Sequence, residues 1–475
     1  MARTFSDDAL GQLQRERATP LYQQLYQRFR EAIAQGRLRP GDRVPSVRAL
    51  ASELNLARGT VEAAYQLLAG EGYLLARGPA GTRVAPGLLV PVEAGPTPPA
   101  RSAPLANPMD GAVAPFQLGL PALDAFPRKL WTRLAARHLR SLGNGGLDYP
   151  APCGFAPLRA AVATYLGISR GILCEPAQVF ITAGYRGALD LICRSLLQPG
   201  DACWFEDPGY IHARDLLEAA GMRLVPVPVD ADGLCVEAGR ARAEHARFAV
   251  VTPAHQSPLG VSLSLPRRLA LLEWAASRDA WIVEDDYDSE YRYLGRPLPA
   301  LKSLDRHDRV LYAGTFSKVL YPGLRLAYLV VPAGQVERFA RQAALFHHAC
   351  PDLLQATACD FLVEGHFARH LKRMRSLYAQ RRGYLAEALT TRFGDRLRLE
   401  LQAGGMHLLG YLPAGTEDGA LADRANAQGL AVHALSRWTR EARGTPGLLL
   451  GFTQVTDSGQ ADGLAQRLGA ALGWT

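Results

Sequence analysis

The stretch Val310-Leu311-Tyr312-Ala313-Gly314-Thr315-Phe316-Ser317-Lys318 runs on through Pro322-Gly323-Leu324-Arg325 into Leu326-Ala327-Tyr328-Leu329-Val330-Val331. Two apolar runs, Val310–Ala313 and Leu326–Val331, read as strands, and between them lies a turn carrying hydroxyls, a lysine and an arginine. Working outward, the runs Val179–Thr182, Ala202–Phe205, Leu224–Val229, Phe248–Thr252 and Trp281–Glu284 repeat the strand pattern, with helical segments such as Gly187–Leu197 and Pro266–Ser277 between them. This alternation predicts a mostly parallel, doubly wound α/β sheet. After about residue 345 the pattern turns helical and then mixed, which predicts a second, smaller α/β subdomain.

Upstream, prolines at 91, 96, 98, 99, 104 and 108 alternate with Gly, Ala and Ser, the composition of an extended linker. The expected division is a front module over 1–86, a linker over 87–115 and a large module over 116–475. In the front module Leu21, Tyr22, Leu25, Tyr26, Phe29 and Ile33 recur at helical spacing behind Pro20. Ser46 stands where an N-cap belongs, ahead of Val47, Leu50, Ala51 and Leu54. Val61, Ala64, Tyr65 and Leu68 give a third helix, and Tyr73-Leu74-Leu75 with Thr82-Arg83-Val84 flank a Gly78-Pro79-Ala80-Gly81 turn. Three helices and a hairpin make a winged helix-turn-helix.

The chain has 475 residues, 48% hydrophobic and 21% charged, close to the globular average and unlike a disordered or disulfide-scaffold protein. Its net charge of +8 is mild over that length and implies a basic patch at most. Seven cysteines with no C-x-x-C pair read as reduced thiols, the first twenty residues lack the apolar core of a signal peptide, and no apolar stretch approaches the ~18 residues of a membrane span. A cytoplasmic protein with no membrane partner is expected.

A helix-turn-helix places its second helix in the major groove, with the N-terminal residues of that helix at the base edges. That end carries Ala57-Arg58-Gly59-Thr60. Arg58 can fork onto guanine, and Thr60 with the backbone amides around Gly59 can hold phosphate. Arg43, Ser46 and Arg48 are placed near the backbone of the duplex. Residues 1–86 hold twelve Arg against eight acidic residues, a balance of +4 that favours DNA. The alternative for such a module is protein interaction with Arg58 merely solvated.

Only four of the basic residues are lysines: Lys129, Lys302, Lys318 and Lys372. Lys129, Lys302 and Lys372 lie in ordinary polar contexts and read as solvated surface groups. Lys318 follows a strand and has companions that suit pyridoxal phosphate. A lysine amine whose pKa is lowered by burial can form a Schiff base with an aldehyde cofactor. Such a ring needs an anion beside its nitrogen, for which Asp285 is the candidate and Asp286 the fallback; Tyr287 can reach the phenolic oxygen. The run Glu284, Asp285, Asp286 and Asp288 reads alternatively as a metal-binding or plain acidic loop. Gly184, Tyr185 and Arg186 open a helix directly after a strand, so they offer amides to a phosphate, with Thr315, Ser317 and Arg325 to complete the cradle. Tyr210 is placed to cover the ring, or simply to pack.

The front run Val44-Pro45-Ser46-Val47-Arg48-Ala49-Leu50-Ala51, with Arg58-Gly59-Thr60-Val61-Glu62-Ala63-Ala64-Tyr65, Gly72-Tyr73 and Gly81-Thr82, resembles the GntR-type winged helix over roughly residues 16–86. It departs at Ala57, where that family usually has Ser or Thr, so one helix cap or phosphate contact is expected to be missing. Glu206-Asp207-Pro208-Gly209-Tyr210, Thr252-Pro253-Ala254-His255-Gln256, Glu284 to Glu290 and Gly314 to Lys318 look like fold-type I aminotransferases. Taken with the winged helix, they resemble the MocR/GabR branch of GntR regulators across nearly the whole chain. The resemblance implies that Lys318 is the cofactor lysine, Asp285 the ring-nitrogen partner and Arg325 a phosphate ligand, and that His255 lies near the ring face or phenolic oxygen. It also implies a homodimer, and a transcriptional regulator that senses a small-molecule effector: an amine, an amino acid or pyridoxal phosphate itself.

Amino-acid aminotransferases carry an Arg that clamps the substrate carboxylate just before a terminal strand, and Leu449 stands at the matching position. Leucine cannot pair with a carboxylate, so transamination of ordinary amino acids is doubtful unless Arg437 or Arg443 substitutes. A working aminotransferase with an accessory DNA module is the first rival reading, and a cofactor-free binding regulator the second. His366 with His370, and His347 with His348, lack the companions of a metal site, and no metal is expected.

Overall fold

The computed structural model describes residues 13, 19–76, 78, 81–88, 113–295, 298–346, 349–441 and 444–474. The chain forms two compact units, Met1–Met109 and Asp110–Thr475. Most of the expected linker lies outside the described residues.

The front unit contains α1 (Leu21–Ala34), α2 (Val47–Glu53), α3 (Arg58–Gly70), β1 (Leu74–Ala76) and β2 (Thr82–Val84), the three helices and hairpin expected. Leu25, Phe29 and Ile33 recur every fourth residue on α1 and bury with Leu50, Val61, Ala64, Leu68, Leu74 and Val84 in one core. Phe29 meets Tyr65 edge to face at 5.5 Å, and the Tyr65 hydroxyl donates to the Pro45 carbonyl at 2.9 Å, tying α3 to the chain entering α2. Ser46 caps α2, its Oγ accepting from the Ala49 amide at 3.2 Å. Ala57 precedes α3 with no side-chain cap, as its methyl side chain dictates.

The large unit is built on an eight-stranded sheet: β3 (Val179–Thr182), β4 (Ala202–Asp207), β5 (Arg223–Asp230), β6 (Gly233–Leu234), β7 (Phe248–Val251), β8 (Trp281–Asp286), β9 (Val310–Thr315) and β10 (Ala327–Val330). All seven expected strands are present, in the order β3-β10-β9-β8-β7-β4-β5-β6. Neighbours from β9 through β5 are parallel, whereas β10 runs antiparallel to both β3 and β9. Helices α4 (Arg128–Arg140), α5 (Ala156–Arg170), α6 (Tyr185–Leu196), α7 (Ile211–Ala219), α8 (Val236–Ala243), α9 (Leu265–Arg278), α10 (Val336–Phe346), α11 (Asp352–Val363) and α12 (His366–Phe393) surround it. Phe205, Phe248, Val283 and Leu311 pack on α6, α7 and α10 on one face, and Trp204, Ala249 and Ile282 on α8 and α9 on the other. Burial on both faces is why these strands read as unbroken apolar runs.

The smaller subdomain has β11 (Arg398–Glu400), β12 (His407–Tyr411), β13 (His433–Ala434) and β14 (Gly447–Gly451), with α13 (Asp418–Ala427) and α14 (Ser458–Leu472). Its sheet order is β11-β12-β14-β13. Leu408, Leu448 and Leu450 join the main core, while Leu409 and Leu449, one residue out of phase, face the opposite way into a separate apolar cluster.

Candidate cofactor site

The carboxyl ends of the parallel strands converge on one region, the place where open α/β sheets gather their ligand groups. Lys318 lies three residues past β9, half-buried, with its Nζ donating to the Gly119 carbonyl at 2.9 Å. Burial pushes its pKa down, and Asp288 and Asp285 pull the other way. Gly119 has φ +72°, and a β-carbon there would stand 2.3 Å from Nζ, so only glycine lets this segment approach the lysine. The contribution of Gly119 was not read from sequence, where the only signal is a glycine isolated between Leu118 and Leu120.

Asp285 and Asp286 end β8 and point to opposite faces of the sheet. Asp285 is buried and its pKa is raised well above the carboxylate range by desolvation. The Tyr185 hydroxyl beside the carboxylate and the Lys318 ammonium offset this in part. Asp286 instead binds Arg170 Nε at 2.8 Å and the Tyr312 hydroxyl at 2.5 Å, and Arg170 pairs with Glu290 at 2.7 Å. These partners hold the Asp286 pKa down, while its neighbour is left without a counter-ion. Asp286 is therefore committed to a structural network away from Lys318. No group of three or more His, Cys, Asp or Glu side chains placed to hold a metal ion occurs among the described residues.

His255 Nδ1 lies 2.9 Å from the Tyr287 hydroxyl and 3.0 Å from Asp288 Oδ1. The three side chains form one hydrogen-bonded group, and Asp288 was visible in sequence only as part of the acidic run. A second network was missed altogether: buried Glu206 accepts from the Thr252 hydroxyl at 2.6 Å and from Gln256 Nε2 at 3.1 Å, joining the ends of β4 and β7. Burial pushes the Glu206 carboxyl up to about 7.

Gly184, at φ +79°, is the N-cap of α6, which leaves the first amides of that helix, those of Tyr185 and Arg186, without intrahelical partners. Arg325 donates to the Ala183 carbonyl at 3.1 Å, and its guanidinium carbon would lie 3.4 Å from a β-carbon at Gly184. A turn with outward amides beneath an exposed guanidinium is an anion cradle. Thr315 accepts from the Ser317 amide at 3.1 Å, which fixes that turn above Lys318. Arg186 and Lys318 both depress the pKa of His212, and burial contributes most. Tyr210 stands 6.3 Å from Tyr185 and 6.2 Å from Trp438, ring to ring, and burial with Asp285 pushes its hydroxyl up to about 12.

Leu449 is fully buried with Leu409, Leu435 and Trp438, and Leu118, Leu259 and Tyr210 pack against that cluster. His433 pairs with Leu449 across the strands, and His407 sits on the same face of β12 as Leu409. Burial lowers both imidazoles, His407 to about 4, so both are uncharged at neutral pH. Arg437 is paired at 2.7 Å with Asp423 on the surface and does not stand in for the missing cation; Arg443 lies outside the described residues. Lys302 corrects the sequence reading. It is not a free surface group: it is half-buried, its Nζ donates to the Val310 carbonyl at 2.6 Å, and desolvation lowers its pKa. His370 Nε2 lies 3.0 Å from the Val319 carbonyl and His366 Nε2 3.1 Å from Glu364; His347 and His348 lie outside the described residues.

In the front unit Arg58 and Gly59 open α3 on the surface, followed by half-buried Thr60. Arg43, Ser46 and Arg48 are exposed, with Ser46 already engaged as a cap and Arg43 lying against Gly81 of the hairpin. A β-carbon at Gly59 would meet nothing within 4 Å, so no internal packing requires a glycine there.

Residues 21–84 match the model of the gntR family of bacterial regulatory proteins, and residues 124–439 that of aminotransferase class I and II. The chain is 38% identical over 467 residues to the probable rhizopine catabolism regulatory protein MocR of Rhizobium meliloti, covering 95% of this chain and 94% of that one. This chain belongs to the MocR-type GntR regulators. Another relative of the same build, the pyridoxine biosynthesis transcriptional regulator PdxR of Corynebacterium glutamicum, is 35% identical, with 91% of this chain and 92% of that one covered. Among solved structures the MocR-type chain is similar to LysN, the α-aminoadipate aminotransferase of Thermus thermophilus in complex with N-(5'-phosphopyridoxyl)-L-leucine, at 31% identity and TM-score 0.68, covering 75% of this chain and 91% of that one. The kynurenine aminotransferase of Pyrococcus horikoshii gives 28% identity and TM-score 0.69 over 75% of this chain and 90% of that one. The large unit of this MocR-type regulator is a fold-type I aminotransferase domain, a fold family that depends on pyridoxal phosphate.

Proposed function

We propose that this MocR-type chain is a cytoplasmic, homodimeric transcription regulator that reads DNA with residues 1–86 and senses a small-molecule effector at a pyridoxal-phosphate site within residues 116–475, the two joined by 87–115. One observation carries the cofactor reading. Asp285 is a buried carboxylate with no ion pair among the described residues, set beside a lysine whose amine burial has made easier to deprotonate. A buried charge needs a partner, and a protonated pyridine nitrogen supplies one. Lys318 would hold the aldehyde, Asp285 the ring nitrogen, Tyr287 and His255 the phenolic oxygen, and Tyr210 the ring face. Arg325, Thr315, Ser317 and the amides of Gly184, Tyr185 and Arg186 would hold the phosphate. When bound, the cofactor offers an aldehyde that captures primary amines. Asp288, bonded to His255, sets which nitrogen of that imidazole carries the proton.

The regulatory reading is favoured over a working aminotransferase by Leu449 and its surroundings. Among the described residues that face holds leucines, Trp438 and two histidines whose pKa values burial lowers, and no arginine or lysine. The effector is an amine, an amino acid bound without the usual clamp, or pyridoxal phosphate itself. In DNA reading, Arg58 meets base edges, Thr60 and the Gly59 backbone meet phosphate, and Arg43 and Arg48 position the duplex.

The test is reconstitution with pyridoxal phosphate followed by visible absorbance, borohydride trapping and intact-mass measurement. A coloured protein with a trapped mass at Lys318, no sustained turnover of amino acid plus keto acid, and a footprint that changes on adding effector is expected. Absence of colour and of added mass overturns the cofactor role; steady turnover favours the aminotransferase instead.

A further inference from the structure

Outside the proposed cofactor site, the large unit carries a band of cations, most of which have no ion pair among the described residues. Along α4, Lys129, Arg133, Arg137 and Arg140 fall at spacings of four, four and three, and all are exposed. The helical repeat puts them on one side, over about 17 Å of axis. On α12, Arg369, Lys372 and Arg373 are likewise exposed on one side, followed by Arg375. The two rows are continuous. Arg137 pairs with Asp360 and Glu364, Glu364 lies 3.1 Å from His366, and His366 lies 2.6 Å from Arg369.

Several exposed arginines elsewhere on this unit have acidic partners, among them Arg194 with Asp190, Arg242 with Glu441, Arg341 with Glu337 and Arg440 with Glu218. Here the segments 128–140 and 366–386 contain no Asp or Glu at all. Lys129, Arg133, Arg140, Lys372 and Arg373 have no ion pair among the described residues, and Asp360, Glu364 and Asp124, which meet these two helices, are taken up by Arg137, His138 and Arg381. Two of the four lysines, and the only two that are exposed, lie in this band. Like charges gathered without counter-ions cost stability, so the band needs an external polyanion to offset it.

We infer that this band on the aminotransferase-type domain binds the phosphate backbone of DNA flanking the site read by the front unit. Duplex DNA presents one charge per ~1.7 Å, so a row of about 17 Å faces roughly ten phosphates. Its side chains are long cations without base-reading amides or aromatic platforms, which suits sequence-independent contact. A duplex already held by the front unit of the same chain is delivered at an effective concentration of millimolar order, enough for weak phosphate contacts to matter. The inference rests on DNA reading by the front unit and extends it.

The experiment uses the full chain reconstituted with pyridoxal phosphate and a site selected in vitro by the protein, placed in duplexes of about 20 and about 80 base pairs. The wild type is expected to bind the long duplex at least tenfold more tightly, with a salt exponent steeper by about 4. The five-fold variant Lys129→Ala, Arg133→Ala, Arg140→Ala, Lys372→Ala, Arg373→Ala should lose that preference and still bind the short duplex as wild type does. A companion that exchanges Lys and Arg at the same five positions should keep the preference, which separates loss of charge from loss of fold. Equal wild-type binding of both duplexes, or a five-fold variant that retains the length preference, overturns the inference. So does band-dependent binding to phosphatidylserine vesicles without any dependence on duplex length. Failure of the wild type to bind even the short duplex would instead strike the DNA-reading role itself.

Discussion

On the large-sheet side of the proposed cofactor site, Lys318 acts on a buried Asp285, while Arg325 and Arg186 stand at an open helix N-terminus; on the small-sheet side, Leu449, Leu409 and Trp438 are flanked by His407 and His433, whose imidazole pKa values burial lowers. Both sides grow from the same domain type, yet one is built to hold charge and the other to exclude it. The difference teaches that the means to hold a cofactor and the means to clamp an amino-acid substrate are separate structural investments. Under the proposed function, this chain keeps the first and lacks the second.

The most decisive way to break this contrast is Lys318→Ala, expected to abolish the visible band and the borohydride-trapped mass completely, as read by absorbance and mass spectrometry. Next, Asp285→Ala should weaken cofactor binding by about a hundredfold or more, since it removes the buried partner of a charged ring, roughly 3 kcal/mol; fluorescence titration checks it. On the opposite side, Leu449→Ala should leave the cofactor band in place and cost about 3 kcal/mol of stability in urea denaturation, the usual size for a fully buried leucine.

His407 sharpens the comparison through pH. Its folded pKa, about 4, lies below the ordinary value of 6.5, so the stability it contributes is present above pH 6.5 and is lost as pH falls towards 4. His407→Gln should therefore remove about 2 kcal/mol of the stability lost between pH 7 and pH 5, measured by urea midpoints at the two pH values. The smallest effects belong to the front unit. Ala57→Ser should add about 1 kcal/mol by capping α3. Gly59→Ala should add a similar amount from helix propensity while weakening DNA binding, because in the proposed reading a phosphate would approach the open space there.

Much of this was legible in the chain. The seven strands declared themselves because both faces of the large sheet are covered, and Ser46 marked the start of α2 because a cap is a local requirement. Lys318 stood out because lysine is scarce here. Asp285 was the candidate and Asp286 the fallback, but the physical reason that separates them was not legible: Arg170, which pairs with Asp286, comes from more than a hundred residues away. Lys302 was misread because its acceptor is a strand carbonyl that no local pattern reveals.

The sequence by itself determined the helices, strands and turns, the order in which they follow one another, and the kinds of chemical group available, since periodicity, capping and backbone preference act over a few residues. Only the tertiary structure decided that Gly119 meets Lys318 across 199 positions, that Asp288 holds His255, that Leu449 turns away from the main core, and that two cationic rows adjoin. Those outcomes depend on strand register and helix packing, which are settled by the joint burial of distant segments and have no short-range signature.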